Sequence, residues 1–144
     1  MASVDINGIT ITYESSGDPA GPAVLLNMGL ALQLISWPYE FVDGLVQRGY
    51  RVIRYDNRDA GLSSQFDHLG APNLWLAYLR HLFGWRQRAA YTLNDMAGDA
   101  IGLLDALGVA AAHIVGVSMG GMVSQIMAAR YPAAARARSS ASSR

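Results

Sequence analysis

The sequence contains no cysteine and no lysine among its 144 residues. Without cysteine, the chain has neither a disulfide framework, nor a thiolate nucleophile, nor a cysteine-based zinc site. Without lysine, it has neither a phosphate-loop lysine nor a Schiff-base lysine. All eleven basic residues are therefore arginine, and eleven acidic residues balance them. Because the net charge is zero, we expect no nucleic-acid partner and no membrane partner.

The sequence also lacks any apolar run that approaches the roughly 18 residues of a membrane-spanning helix. Its first residues, MASVDINGITI, lack the basic start and the continuous apolar core of a secretory signal. The composition, with 51% hydrophobic and 15% charged residues, is sufficient to bury the core of one globular domain. We therefore expect a soluble protein located in the cytoplasm.

Short strand-like and helix-like segments alternate along the chain. Asn7-Gly8 lies between two β-branched runs and predicts a tight hairpin. Thr92 and Asp95 have the spacing of a capping box, and they predict the start of a helix that ends at Gly108. The other predicted elements are buried strands at residues 23–27, 50–55 and 113–117, and helices at residues 37–48 and 120–130. The alternation predicts an α/β fold with a mostly parallel sheet flanked by helices.

An additional segment, at about residues 65–91, precedes the Thr92 helix. Within it, Asn73 is a candidate N-cap for a helix with these apolar residues on one side: Leu74, Trp75, Tyr78, Leu79, Leu82 and Phe83. Two interpretations remain open. The helix either packs on the core or forms a partial lid that gives a pocket an apolar wall.

The last residues, AAARARSSASSR at positions 133–144, contain no large apolar residue and no strand pattern. We therefore predict a domain of residues 1–132 followed by a disordered tail. The Ala/Arg/Ser composition is typical of GC-rich codons translated out of frame. The hypothesis for this segment is a frameshifted or prematurely ended gene.

The motif G-x-S-x-G occurs at residues 116–120, between a predicted strand and a predicted helix. In that position it is typical of a nucleophile elbow, in which Gly116 and Gly120 permit a strained turn that exposes the Ser118 hydroxyl. Acyl transfer also requires an oxyanion hole. The backbone N–H groups of Met119 and Leu30 are the candidates, the latter in the turn after the strand AVLLN. The alternative for the motif is a plain glycine turn.

Four stretches occur in an order that resembles the N-terminal half of an α/β-hydrolase: NMGLALQLISWP, VIRYDNRDAGLS, YTLNDMAGDAIGLLDALGV and HIVGVSMGG. They are especially similar to the bacterial esterase-like branch that includes aclacinomycin methylesterase. The resemblance covers residues 6–132 and implies an incomplete domain that ends after the elbow helix. It implies Ser118 as the nucleophile, with Leu30 and Met119 forming the oxyanion hole. It also implies a structural loop with the pattern D-x-R-x-x-G-x-S, formed by Asp56, Arg58, Gly61 and Ser63.

The partners of a serine triad are missing after Ser118. In α/β-hydrolases the acid and the histidine follow the serine, but residues 119–144 contain no Asp, Glu or His. The three histidines, His68, His81 and His113, all precede it. His113 opens the elbow strand, so we expect it at the far end of the sheet. We expect impaired activity, and self-association through an unpaired edge of the elbow strand.

The leading functional hypothesis is a serine hydrolase acting on a small-molecule ester or related acyl substrate, with no cofactor and no metal. Within the same fold, carbon–carbon bond hydrolysis and perhydrolase chemistry are alternatives. A non-catalytic module that binds a carboxylate or a small apolar ligand is a third possibility. The serine argues against the dehalogenases and epoxide hydrolases of this fold, in which the family resemblance implies an aspartate. A nucleotide-binding domain is disfavoured because GVSMGG is not G-x-G-x-x-G.

Overall fold

The computed structural model describes residues 1–65 and 91–136 of the chain. The elements follow in this order: β1 (Ala2–Ile6), β2 (Ile9–Ser16), β3 (Ala23–Asn27), a 3-10 turn (Leu34–Ser36), α1 (Tyr39–Gln47), β4 (Arg51–Tyr55), α2 (Leu93–Ala106), β5 (Ala112–Gly116), α3 (Met119–Arg130) and β6 (Ala135–Arg136). The helix and lid considered for the segment around residues 65–91 lie almost entirely outside the described residues.

The six strands form one mixed sheet in the order β1-β2-β4-β3-β5-β6. The first two strands form an antiparallel hairpin, and β2 also pairs antiparallel with β4. The remaining strands run parallel. At the hairpin turn, Asn7 and Gly8 have φ values of 50° and 76°, the left-handed pair that a two-residue turn of this kind requires. The predicted α/β class, with a hairpin and a mostly parallel sheet, is confirmed.

Strand β3 lies inside the sheet and is covered on both faces. All five of its residues are buried, as expected for a parallel strand between two layers of helices. Its side chains alternate between two apolar clusters. Val24 and Leu26 pack with α1 and its preceding turn, whereas Leu25 packs with α2 and α3. Because the carboxyl ends of β3, β4 and β5 share one edge, the loops that follow them meet there.

Helix α2 begins with the predicted capping box. The Thr92 hydroxyl oxygen accepts the Asp95 N–H at 3.3 Å, and the Asp95 carboxylate accepts the Thr92 N–H at 2.7 Å. The helix ends before Gly108, whose φ of 66° suits a glycine. Its buried apolar residues are Met96, Ala97, Ala100, Leu103 and Leu104. No helix in the described ranges is long and apolar enough to cross a membrane.

The structure differs from the prediction at the start of the tail. Ala135–Arg136 form strand β6, so the disorder predicted from residue 133 is wrong for residues 133–136. Alanine is small enough to let this segment approach the sheet, and the Ala112 N–H donates to the Ala134 carbonyl at 2.9 Å. Ala135 is buried and belongs to the apolar cluster formed with α2 and α3. Residues 137–144 lie outside the described part of the chain.

The outer edge of β5 is therefore only partly open. Ala112 and His113 pair with β6, so the unpaired edge expected for the elbow strand is wrong at these two residues. Among the strands in residues 1–65 and 91–136, none pairs with the outer side of residues 114–116. Self-association through this remaining edge stays a prediction.

Replacing Thr92 with alanine removes the side-chain oxygen that caps α2. We expect Thr92→Ala to lower the free energy of unfolding by about 1 kcal/mol in urea titrations near neutral pH.

The Thr92 backbone N–H and then its hydroxyl lower the pKa of Asp95 through hydrogen bonds. The depressed pKa means that the stabilisation is present above the pKa of the unfolded chain and is lost as the pH falls through the folded pKa.

The matched control is Asn94→Ala, a change at an exposed position in the same turn. It should leave the free energy of unfolding unchanged or slightly raised, because alanine favours helix. Equal stability of Thr92→Ala and the wild-type chain at neutral pH would contradict the capping role.

Candidate active site

Ser118 lies at the junction between β5, which ends at Gly116, and α3, which begins at Met119. Its backbone has φ 54° and ψ −121°, and the residue is exposed. An L-residue in this region carries strain of about 1–3 kcal/mol, which persists only where the surroundings enforce it. The chain therefore turns sharply at the serine that the sequence singles out, neither inside a helix nor inside a strand.

Close contacts between glycines and backbone enforce this turn. A Cβ on Gly120 would lie 2.7 Å from the Met28 carbonyl oxygen and would overlap the Asn27 carbonyl oxygen. A Cβ on Gly116 would lie 2.5 Å from the Ser124 hydroxyl oxygen and would overlap the Gly120 carbonyl. The start of α3 thus rests directly on the carboxyl end of β3, which only residues without a side chain permit.

Buried polar side chains hold the same contact from inside. The Ser124 hydroxyl donates to the Gly120 carbonyl at 2.7 Å and accepts from the Asn27 side-chain amide at 2.8 Å. The Asn27 carbonyl oxygen accepts the Val117 N–H at 3.1 Å. Asn27 is fully buried, and its Oδ1 accepts no hydrogen bond from the described residues. Neither side chain was predicted from the sequence, although a polar residue at the end of the apolar strand AVLLN was a signal for Asn27.

The loop after β3, residues 28–33, passes beside the nucleophile candidate. A Cβ on Gly29 would lie 3.5 Å from the Ser118 Cβ. Leu30 follows Gly29, and Ala31 turns the loop with a φ of 57°. Within the described chain, neither the Leu30 N–H nor the Met119 N–H donates a hydrogen bond. The resemblance implies that these two N–H groups form the oxyanion hole. Both lack an acceptor among the described residues, and they belong to the residues that directly follow Gly29 and Ser118.

The loop after β4, residues 56–63, is closed by its own side chains. The Asp56 carboxylate accepts the Leu62 N–H at 3.0 Å, and the Ser63 hydroxyl donates to the Asp56 carbonyl at 2.7 Å. Ser63 also accepts the Thr12 N–H at 2.9 Å. Gly61 has a φ of 53°, and a Cβ there would overlap the Asp56 carboxylate. The hydrogen bonds of Asp56 and Ser63 within the described residues fix backbone atoms of neighbouring segments, and they do not involve Ser118.

Arg58 points from the same loop to α2. Its guanidinium donates to both carboxylate oxygens of Asp99, at 2.7 and 2.8 Å, and Asn7 donates to Asp99 at 3.3 Å. Burial lowers the pKa of Arg58 and the Asp99 carboxylate raises it, and the net shift is upward. Asp99 was missed in the sequence, although it is the one charged residue among the six buried residues of α2. Through these hydrogen bonds, Asp99 connects the β1–β2 hairpin and the loop after β4 to helix α2.

Tyr91 lies beside this ion pair. The Arg58 guanidinium carbon is 5.2 Å from the centre of the Tyr91 ring. Burial, followed by a hydrogen bond with Asp59, raises the pKa of Tyr91 to about 12. The phenol therefore stays protonated at neutral pH and serves as a hydrogen-bonding and stacking group, not as a base.

The histidines do not supply a base in the described part of the chain. His113 is exposed near the start of β5, where its ring meets the Tyr50 ring edge-on at 6.0 Å. A strand rises about 3.3 Å per residue, so His113 lies about 10 Å before the carboxyl end of β5, the end from which the chain continues to Ser118. His68 and His81 fall outside the described residues. The described ranges also hold no group of three or more His, Cys, Asp or Glu arranged for a metal ion.

The family model for the alpha/beta hydrolase fold matches residues 22–142. The chain therefore belongs to the α/β-hydrolase fold family, as the resemblance predicted. The match extends beyond residue 132, into the segment that the sequence analysis separated from the domain.

Three proteins illustrate the similarity. A rhodomycin D methylesterase of Streptomyces sp. (strain C5) is 39% identical over 86% of this chain and 36% of its own length. Epoxide hydrolase B of Mycobacterium tuberculosis is 29% identical over 83% of this chain and 28% of its own. The crystal structure of an enol-lactonase from Burkholderia xenovorans LB400 superposes with a TM-score of 0.70 at 28% identity, over 91% of this chain and 42% of that one. The chain thus spans less than half the length of each.

Adjacent glycines at the start of α3 provide a test of the close contact. We expect Gly120→Ala to lower the free energy of unfolding by about 1–3 kcal/mol or more, because the new methyl group overlaps the end of β3. Gly121→Ala is the control, since its Cβ would lie 3.5 Å from the nearest atom, the Gly116 carbonyl oxygen. It should raise stability by about 0.5–1 kcal/mol, because alanine favours helix. Equal effects of the two substitutions in urea denaturation would rule out the contact.

Strain at Ser118 gives a second test. We expect Ser118→Gly to be more stable than Ser118→Ala by about 1 kcal/mol. Glycine adopts the positive φ of this position without steric cost, whereas alanine retains the steric cost that serine has. Thermal unfolding of the two variants under the same conditions measures the difference. A glycine variant less stable than the alanine variant would show that the turn is not strained.

Proposed function

We propose that the chain carries the nucleophile and oxyanion-hole half of a serine hydrolase acting on small esters or related acyl substrates. One observation carries the proposal: Ser118 is exposed and strained at the junction of β5 and α3, beside Gly29. The similarity to a methylesterase and an enol-lactonase supports acyl–oxygen bonds as the target. A serine, in place of the aspartate of epoxide-opening relatives, favours attack on a carbonyl.

The geometry suits the first step of acyl transfer. The Ser118 Oγ forms a bond to the acyl carbon, and the carbonyl electron pair moves onto oxygen. The N–H groups of Leu30 and Met119, together with the N-terminus of α3, stabilise this negative charge. Collapse of the intermediate breaks the carbon–oxygen bond to the leaving alcohol, and water then releases the acid from the serine ester.

The proton of Ser118 requires a base that the described residues do not supply. The acid and the histidine follow the serine in this family, and residues 119–144 hold neither. Removal of the base from a serine triad lowers turnover about 10⁶-fold, or about 8 kcal/mol of barrier. This chain by itself would therefore have a serine nucleophile but only slow turnover.

One observation favours a second candidate function. Two backbone donors without acceptors, with no base beside them among residues 1–65 and 91–136, form an arrangement that also binds a carboxylate without reaction. In that case the chain would be a small-ligand-binding module of the same fold, and Ser118 would not become acylated.

A fluorophosphonate probe distinguishes the two functions. We expect the wild-type chain to be labelled at Ser118, because the serine oxygen displaces fluoride from phosphorus and negative charge builds up on the phosphonyl oxygen where the oxyanion donors lie. Peptide mapping by mass spectrometry locates the adduct. Ser118→Ala should abolish labelling, and Ser36→Ala, at an exposed serine of the 3-10 turn, should leave it unchanged.

The same samples report turnover of a p-nitrophenyl ester. We expect a rate far below that of an ordinary esterase, since the base is missing from the described site. Labelling that is absent, or equal in the wild type and Ser118→Ala, would remove the nucleophile proposal. Turnover within about tenfold of an ordinary esterase, lost in Ser118→Ala, would contradict the slow rate and not the nucleophile.

A further inference from the structure

Two consecutive side chains at the end of β4 hold the loop after β3, one at each end. The Asn57 side-chain amide donates to the Met28 carbonyl at 3.2 Å, where the loop begins. The Asp56 carboxylate accepts the Leu34 N–H at 2.7 Å, where the loop ends. Both side chains are almost fully buried, with 4% and 2% exposure. The loop that carries Leu30 is therefore anchored by the neighbouring strand and not by itself.

The span between these anchors has little structure of its own. Its one internal backbone hydrogen bond joins the Leu32 N–H to the Gly29 carbonyl at 3.3 Å. Leu30 is 70% exposed, so side-chain packing does not fix its backbone. The direction of the Leu30 N–H must then come from the anchored ends.

We propose that Asn57 is a positioning residue for the oxyanion hole, an inference that rests on the proposed function. The Met28 carbonyl and the Gly29 N–H belong to one planar peptide, so holding the carbonyl also sets the orientation of that plane. Gly29 then supplies the two soft dihedral angles between this plane and the peptide that bears the Leu30 N–H. The Met28 carbonyl also lies against Gly120, so the same anchor relates the donor to the Ser118 turn.

The chemistry at position 57 calls for a neutral donor. The Met28 carbonyl is an acceptor, and a carboxylate of the same shape would place oxygen against oxygen. A protonated carboxyl, in contrast, donates one O–H and can restore the bond. Burial and the adjacent Asp56 carboxylate raise the pKa of a carboxyl there, while the Arg58 guanidinium is engaged with Asp99.

The test measures fluorophosphonate labelling rates of the full chain between about pH 5 and about pH 8, each as a ratio to wild type at the same pH. We expect Asn57→Asp to lower the ratio about tenfold or more at the alkaline end, since one oxyanion donor loses its orientation. The ratio should recover towards the acid end. Asn57→Leu should be slow at every pH. Asn94→Asp makes the same chemical change at an exposed helix position and should keep a ratio of one.

Urea unfolding of every sample separates positioning from folding. If Asn57→Leu is not cooperatively folded, the pH dependence of Asn57→Asp carries the test. Folded Asn57 variants that label at the wild-type rate, or an Asn57→Asp ratio that is low and independent of pH, would overturn the inference while leaving the nucleophile proposal intact. A wild-type chain that is not labelled would overturn both.

Discussion

The contact between Gly120 and the carboxyl end of β3 is the constraint on which the site depends. It places the first turn of α3 against the Asn27 and Met28 carbonyls, at a distance that excludes any side chain. With β5 already paired to β3 up to Asn27, the connection between strand and helix has no room for a relaxed turn. Ser118 therefore takes the strained conformation, and the exposed residue lies beside Gly29 at the carboxyl ends of the parallel strands.

Buried polar side chains also fix the course of the backbone near Ser118. Asn27 and Ser124 hold the start of α3 next to the turn at Ser118, while Asp56 and Asn57 hold the loop after β3 beside it. Each bonds to main-chain atoms or to a partner that does, so each determines where the chain runs. The apolar clusters on the two sheet faces supply most of the stability, and these polar groups determine the geometry at one edge.

Much of this arrangement was predictable from sequence, because the determining forces are local. The hairpin at Asn7-Gly8, the capping box at Thr92 and the turn at Ser118 each depend on residues a few positions apart. The resemblance implied a structural role for Asp56 and Arg58, but the partners of the buried polar side chains were not predictable, since Asn57 and Met28 are 29 residues apart and Arg58 and Asp99 are 41 apart. Strand β6 was missed for another reason: it pairs through backbone and small alanines, which leave no hydrophobic pattern.

In the proposed function, the Ser118 hydroxyl attacks beside two backbone donors, the N–H groups of Leu30 and Met119. A crystal structure of the chain after reaction with a fluorophosphonate would test it most directly. We expect the phosphonyl oxygen to lie about 2.7–3.1 Å from both the Leu30 and the Met119 nitrogen atoms, with φ of Ser118 still positive. A phosphonyl oxygen directed to solvent, with the Leu30 N–H turned away, would contradict it.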